Sequence, residues 1–310
     1  METYNHYAQA KPLKRSEGQS AVAAAAYRAG EKLLDNNSNV EIDYSPRGGV
    51  LAKRIVAPAD APSWTTDRQK LWNTVELCEI RQDAQLAREL TLQFPSGLPL
   101  DTRCEILWSF CEENFAQQGM VADAVIHAPG EGDQRNDHAH VMLTMRNLTP
   151  DGFGNKNRDW NKNECLERWK INWMDKCNAA LEAIDSNIRF ERRSIADQYA
   201  EKIEAIVAAT DWHEKRLLEI EAARLNYIPR PHLPQRVYRA MTEGRPIPDE
   251  HKAAVAEWKA ARDSKEAAAR DATRLQRRLD EELAINTPLY AERPLGSGPI
   301  DFRLMACFTV

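Results

Sequence analysis

Three histidines constrain this chain more than any other feature. They fall in Val125-Ile126-His127-Ala128-Pro129 and in Asp137-His138-Ala139-His140-Val141-Met142-Leu143-Thr144, on either side of the polar stretch Gly130-Glu131-Gly132-Asp133-Gln134-Arg135-Asn136. That stretch carries turn chemistry, and its flanks read as the two strands of a hairpin. Strand side chains alternate, so His138, His140, Met142 and Thr144 share one face and Ala139, Val141 and Leu143 the other. A hairpin partner brings His127 to the same end. Only seven histidines occur in the whole chain, so three in one hairpin are unlike scattered structural or exposed imidazoles. Neutral imidazoles that converge on a point form a site for a divalent metal. Their spacing alone leaves zinc, manganese and magnesium-type chemistry open.

A length of 310 residues, 43% hydrophobic and 29% charged, allows one sizeable domain with an extension or two small domains. No run of 18 apolar residues is present, so no membrane insertion is expected. The segment Met1-Glu2-Thr3-Tyr4-Asn5-His6-Tyr7 lacks the pattern of a secretory signal. Six cysteines (Cys78, Cys104, Cys111, Cys165, Cys177, Cys307) form no C-x-x-C pair and read as reduced thiols of a cytoplasmic protein, not as a disulfide frame or a zinc knuckle. The net charge of −5 argues against a protein that coats DNA nonspecifically. It leaves room for a nuclease with a local basic groove and a cation.

Along the chain, Thr3 to Ala10 reads as a short strand and Lys11 to Ser20 as a polar, partly basic loop. Ser20 is a good N-cap for a helix from Ala21 to Leu33, in which five of the first six residues are alanine. Tyr27 is the large aromatic of that helix, and taken alone it reads as its anchor into the core. A loop over Asp43-Tyr44-Ser45-Pro46-Arg47-Gly48-Gly49-Val50 leads into a strand to Ala57. A helix is expected over Ser63 to Asp83. Arg88 to Phe94 is the cleanest strand, with Leu90, Leu92 and Phe94 on one face and Glu89, Thr91 and Gln93 on the other. Glu89 by itself reads as solvated. Leu100 to Gly119 and Arg158 to Ala183 are expected helices, the latter with Trp169 and Trp173 in the core, and Asn187 to Arg193 is a short extended segment. Beyond Ser194 the composition shifts to charged helices, Ser194 to Asn226 and Pro248 to Ala284, interrupted at Pro229, Pro231 and Pro234. Thr287 to Val310 reads as a loose tail. This divides the chain into 1–193, 194–286 and 287–310. No phosphate-binding Gly-x-x-x-x-Gly-Lys-Ser/Thr loop is present, so no ATP-driven motor is expected.

Three stretches together resemble a known family. They are Gly18-Gln19-Ser20-Ala21-Val22-Ala23-Ala24-Ala25-Ala26-Tyr27-Arg28-Ala29-Gly30, Arg88-Glu89-Leu90 at a strand, and His127 with His138-Ala139-His140. Asp43-Tyr44 before Arg47-Gly48-Gly49-Val50, Trp72, and Trp173 with Asn178-Ala179-Ala180-Leu181-Glu182 add to the likeness. The pattern is similar to the MobA/MobL relaxases of mobilisable plasmids, within the HUH endonucleases, over roughly residues 3 to 193. The resemblance implies an α+β fold, a five-stranded antiparallel HUH-type relaxase sheet flanked by helices. Here a long-helix C-terminal extension would follow it.

By the same resemblance, Tyr27 matches the nucleophilic tyrosine, which reverses its reading as a core anchor. His127, His138 and His140 match the metal ligands, and Glu89 matches a carboxylate near the tyrosine, the candidate general base. The implied cofactor is a divalent metal, Mn²⁺ or Mg²⁺. The implied activity is nicking and rejoining of one DNA strand at an origin of transfer through a 5′-phosphotyrosyl intermediate. Lys11, Lys14, Arg15, Arg28 and Arg47 are candidate contacts to the DNA backbone. The implied partners are single-stranded or supercoiled plasmid DNA, relaxosome accessory proteins and a type IV secretion coupling protein. The sequence departs from the family where a second acidic residue is common two positions after the first; here it is Thr91, which argues against activation by a carboxylate pair. The first strand also carries His6-Tyr7 where Tyr-His is frequent. Two other readings stay open: a catalytically silent DNA-binding accessory protein, and a rolling-circle replication initiator. A tyrosine helix upstream of the histidines argues against the initiator.

Overall fold

The computed structural model describes residues 2–5, 8–129, 136–231 and 233–286. His6, Tyr7, most of the loop between the histidine strands, and the tail from 287 lie outside the described residues. The chain divides into two compact units, residues 1–192 and 193–310.

In the first unit, β1 (Glu2–Asn5) is followed by β2 (Ala8–Lys14), α1 (Ala21–Ala29), the ribbon β3 (Lys32–Asp35) and β4 (Val40–Asp43), and β5 (Val50–Val56). Then come α2 (Arg68–Cys78), β6 (Gln85–Gln93), α3 (Leu100–Asn114), β7 (Ala122–His127) and β8 (His138–Leu143). The ribbon β9 (Arg146–Thr149) and β10 (Gly152–Lys156), α4 (Asn163–Ala183) and β11 (Ile188–Glu191) complete it. Five strands form an antiparallel sheet in the order β2-β6-β8-β7-β5. Separately, β1 pairs in parallel with β11. The sheet is thus the expected antiparallel platform with helices on both faces.

Alternation along β6 sorts the two faces. Leu90 and Leu92 join Ala124, Ile126, Ala139 and Val141 in a core with Phe110 and Phe115, and with Trp169 and Trp173 of α4. On the other face, Ala87, Val121 and Met142 pack under Ala21, Val22, Ala25 and Ala26 of α1 and Leu71, Trp72 and Val75 of α2. The small sides of α1 let that helix lie close to the sheet. Glu89, Thr91 and Gln93 share this second face with the histidines.

Two boundaries differ from the sequence reading in ways that shape the site. Strand β2 runs on through Lys11-Pro12-Leu13-Lys14, which read as a loop. Proline is tolerated there because β2 is an outer strand of the sheet and need not donate on its open side. Helix α1 begins as expected, with the Ser20 hydroxyl accepting the Ala23 N–H at 3.2 Å. It stops at Gly30 and not at Leu33, because Gly30 takes the left-handed conformation (φ 57°) and turns the chain into β3.

The second unit contains α5 (Ile195–Ala208), α6 (Trp212–Leu225), α7 (Gln235–Thr242) and α8 (Asp249–Asn286). The helix expected over Ser194–Asn226 is two helices. Asp211 interrupts it and caps α6, accepting the Glu214 N–H at 2.8 Å. Helix α8 is 38 residues long; it packs on α6 through Ile220, Ala272 and Leu279, a narrow seam. Among the described residues no helix is long and apolar enough to cross a membrane.

Candidate metal centre and its tyrosine

The register of the hairpin sets the histidines together. His127, last in β7, lies opposite His138, first in β8, while His140 faces Val125 on one side and Thr91 on the other. The three rings stand 5.1 to 5.6 Å apart between centroids. One ligating nitrogen of each lies within 4.8 Å of the other two.

Each imidazole is oriented by a partner that can only accept a hydrogen bond. His127 Nε2 lies 2.7 Å from the Arg28 carbonyl oxygen, His138 Nδ1 lies 2.7 Å from the Asn136 carbonyl, and His140 Nδ1 lies 2.7 Å from a Glu89 carboxylate oxygen. The nitrogen facing each acceptor therefore carries the proton. The lone pair is left on Nδ1 of His127 and on Nε2 of His138 and His140. Partners of this kind are what fix the tautomer and heading of metal-ligating imidazoles. Burial pushes the His127 pKa down to about 4, with the charges of His140, His138 and Arg47 adding to it. Burial also lowers that of His138. Neutral imidazoles are what a cation requires, so the donor set fits a divalent metal.

Glu89 joins this cluster to α1. Its two carboxylate oxygens accept from Nε and Nη2 of Arg28, and one of them also accepts from His140. Arg28 donates through Nη1 to the Ala24 carbonyl at 2.9 Å, which holds the guanidinium against its own helix. Burial raises the Glu89 pKa, but the hydrogen bonds from His140 and Arg28 outweigh it and bring it to about 2. A carboxylate with both oxygens engaged and so low a pKa is a weak proton acceptor, which does not suit the base role expected from the sequence. Thr91, two residues after Glu89, has its Oγ1 3.5 Å from His140 Nδ1.

Tyr27 precedes Arg28 in the last turn of α1. It is 41% exposed, while Ala21, Val22, Ala25, Ala26 and Ala29 of the same helix are buried. It is therefore not the core anchor that the helix pattern alone implied. The Tyr44 ring meets it edge-on at 5.1 Å, and the Arg47 guanidinium carbon sits 3.9 Å from its centroid. The loop carrying Tyr44 and Arg47 rests against Gly30, where a Cβ would come within 3.3 Å of Val50 Cγ2 and 3.4 Å of the Arg47 carbonyl. The same loop reaches the end of β7, the Ala128 N–H donating to the Gly49 carbonyl at 2.8 Å. One residue, Arg28, thus touches two of the three histidine environments: its carbonyl holds His127 and its side chain holds the carboxylate on His140.

With this geometry in view, comparison with known proteins is decisive. The chain belongs to the MobA/MobL family. The family's model matches residues 19–214. The chain is similar to mobilization protein MobL of Acidithiobacillus ferridurans, 31% identical over 222 residues, covering 62% of this chain and 58% of that protein. It is also similar to conjugal transfer protein TraA of Agrobacterium fabrum (strain C58 / ATCC 33970), 37% identical over 155 residues, which are 46% of this chain and 14% of TraA. It therefore spans little more than half of the first relative and a small part of the second. A solved structure concerning the molecular basis of vancomycin resistance transfer in Staphylococcus aureus matches with a TM-score of 0.57 and 29% identity. That match covers 62% of this chain and all of the other.

The basic residues expected to meet DNA separate into two groups in this MobA/MobL chain. Arg28 and Arg47 lie at the site, and Lys11 is paired across the strands with Glu89, so its side chain leaves the sheet on the histidine face. Lys14 and Arg15 lie farther along, at the end of β2. Lys14 pairs with Glu17 at 3.0 Å. Arg15 pairs at 2.5 Å with Glu76, whose other oxygen accepts the Ala21 N–H at 2.6 Å. That makes Arg15 and Glu76 part of the seating of α1. A second network went unread in the sequence. Buried Asp123 of β7 accepts from Arg68 Nε and Nη2 at 2.8 Å and from Trp72 Nε1 at 2.9 Å. Arg68 also donates to Glu31, just past α1, at 2.5 Å. A lone acid among the apolar residues of β7 was the available signal.

Proposed function

We propose that this protein cuts and rejoins one strand of DNA at a plasmid origin of transfer, with Tyr27 as nucleophile, and thereby acts in conjugative mobilisation. The observation that carries the reading is the junction at Arg28, the residue after an exposed tyrosine, which holds two of three clustered imidazoles whose lone pairs are free for a cation. The names of the relatives, for mobilisation and conjugal transfer, support it.

In this reading the Tyr27 oxygen attacks phosphorus in line. A Tyr27 O–P bond forms and the bond from phosphorus to the 3′ oxygen breaks. The phenolic proton passes to water, and the departing 3′ oxygen takes up a proton to become a hydroxyl. One phosphodiester replaces another, so the same site can run the step backwards and reseal the strand without ATP. His127, His138 and His140 hold the cation, Mn²⁺ fitting an imidazole-rich set better than Mg²⁺. When bound, that ion neutralises the phosphate and stabilises the charge that builds in the transition state. Glu89 serves as a positioning residue: it keeps His140 in one tautomer and Arg28 in one rotamer. The substrate is plasmid DNA at the origin, single-stranded or supercoiled; relaxosome accessory proteins and a type IV secretion coupling protein are the partners.

The test is incubation of the full chain with a single-stranded oligonucleotide carrying the plasmid's origin sequence and Mn²⁺. A covalent adduct that survives denaturation is expected, and Tyr27→Phe should abolish it. An adduct that persists in Tyr27→Phe moves the nucleophile to Tyr44 or Tyr7 and overturns the assignment.

A further inference from the structure

We propose that Arg47 is a positioning residue for the Tyr27 ring, and that its work is to fix the phenol's heading and not to grip the DNA backbone. This rests on the Tyr27 chemistry proposed above. An exposed tyrosine at the end of a helix has several open rotamers, whereas in-line attack requires the oxygen to be placed to within a fraction of an ångström. The surroundings of Tyr27 supply that restraint. The Arg47 guanidinium covers one face at 3.9 Å, well inside the range in which a cation is attracted to an aromatic face. Tyr44 closes an edge, its ring perpendicular at 5.1 Å. Among the described residues no carboxylate pairs with that guanidinium, which lies instead over the Tyr27 ring.

The loop that presents both residues is itself braced. The Asp43 carboxylate accepts the N–H and the hydroxyl of Ser45 at 2.8 and 2.6 Å. The Tyr44 N–H donates to the Glu31 carbonyl at 3.1 Å, and the Arg47 N–H donates to the Tyr44 carbonyl at 3.0 Å. At its far end Gly49 receives the Ala128 N–H at 2.8 Å, one residue beyond His127. The ring clamp and the strand that carries His127 are therefore tied to one segment, which restrains the phenol relative to the imidazoles. Arginine is suited to this place because its planar head stacks on a ring, which a lysine ammonium does only as a point charge.

The experiment separates positioning from DNA contact. Arg47→Gln and Arg47→Lys are compared with the wild type for two quantities: the rate of adduct formation at saturating origin oligonucleotide with Mn²⁺, and the oligonucleotide Kd in chelator. Positioning predicts a rate on the order of tenfold lower in Arg47→Gln, a smaller loss in Arg47→Lys, and a Kd within about twofold of wild type. A weakened Kd whose salt slope falls by about one, with the saturated rate unchanged, makes Arg47 a phosphate contact and overturns the proposal. A readout free of catalysis stands beside it. In protein made with 3-fluorotyrosine, the Tyr27 fluorine line, assigned by its loss in Tyr27→Phe, should shift in Arg47→Gln; a line that stays in place overturns the clamp. Should the wild type form no adduct at all, the strand-transfer chemistry fails, and the fluorine line alone decides the clamp.

Discussion

Replacing Glu89 by glutamine tests whether this carboxylate holds the site or takes a proton. In the structure its side chain is 14% exposed and its Arg28 partner 16%. The amide keeps one acceptor oxygen but turns an NH2 group toward donors on Arg28 and His140. Arg28 is then left with part of its charge unpaired away from water. Hydrogen bonds of a charged group are worth about 1.5–3 kcal/mol each, and an amide retains some of them, so a stability loss of about 2 kcal/mol is expected. For the metal, losing an acceptor that orients an imidazole costs roughly 10–100-fold in affinity. The assays are thermal unfolding of the chelated protein and competition for Mn²⁺ by a chelator of known affinity, alongside the adduct rate at saturating metal. On the positioning account, Glu89→Gln binds metal weakly but regains most of its adduct rate when Mn²⁺ is raised. If metal affinity stays within twofold of wild type while the adduct rate collapses at every Mn²⁺ concentration, Glu89 is the base and the positioning role is refuted.

Three further outcomes follow from the same geometry. Asp123→Ala should destabilise the first unit by about 3–5 kcal/mol, because it strands the buried Arg68 guanidinium and the Trp72 N–H; denaturant unfolding reads this, and a loss below 1 kcal/mol would show that water or Glu31 takes over. Burial raises the Glu31 pKa, but Lys53 and Arg68 outweigh it and hold the carboxyl below its ordinary 4.5. A depressed acid adds stability that is present above that ordinary value and is lost as pH falls through the folded one, so Glu31→Gln should flatten the acid limb of a melting-temperature-against-pH curve below about pH 4.5 and reduce stability at neutral pH. Chelation should lower the melting temperature of metal-loaded protein, and Mn²⁺ at a hundredfold excess over Kd should restore about 2.7 kcal/mol, an effect absent from His127→Ala.

What could be read from the sequence follows the range of the interactions concerned. The histidine hairpin was legible because a two-residue period fixes which side chains share a face, and the α1 N-cap because Ser20 acts on a neighbour three residues away. Two errors were of the same local kind and correctable: Gly30 announces the end of α1, and Asp211 followed by Glu214 is a capping signal inside what read as one helix. The extension of β2 through Pro12 is different, since only the strand order reveals that this strand lies at an edge. The site itself depends on contacts of longer range still. Arg28 meets His127 across 99 residues and Glu89 across 61, and neither separation leaves a periodic trace. This is why Arg28 looked like a free cation for DNA, and Glu89 like a free base. Tyr27 shows the limit most plainly. Preceded by four alanines and followed by Arg28, it has no pattern to say which way it faces; its ring meets Tyr44 and Arg47 of a loop ending at Gly49, whose carbonyl is hydrogen-bonded to the residue after His127. The placement of the proposed nucleophile is thus a property of the tertiary fold, and on the reading proposed above variants in that loop should alter the chemistry without touching the phenol or the imidazoles.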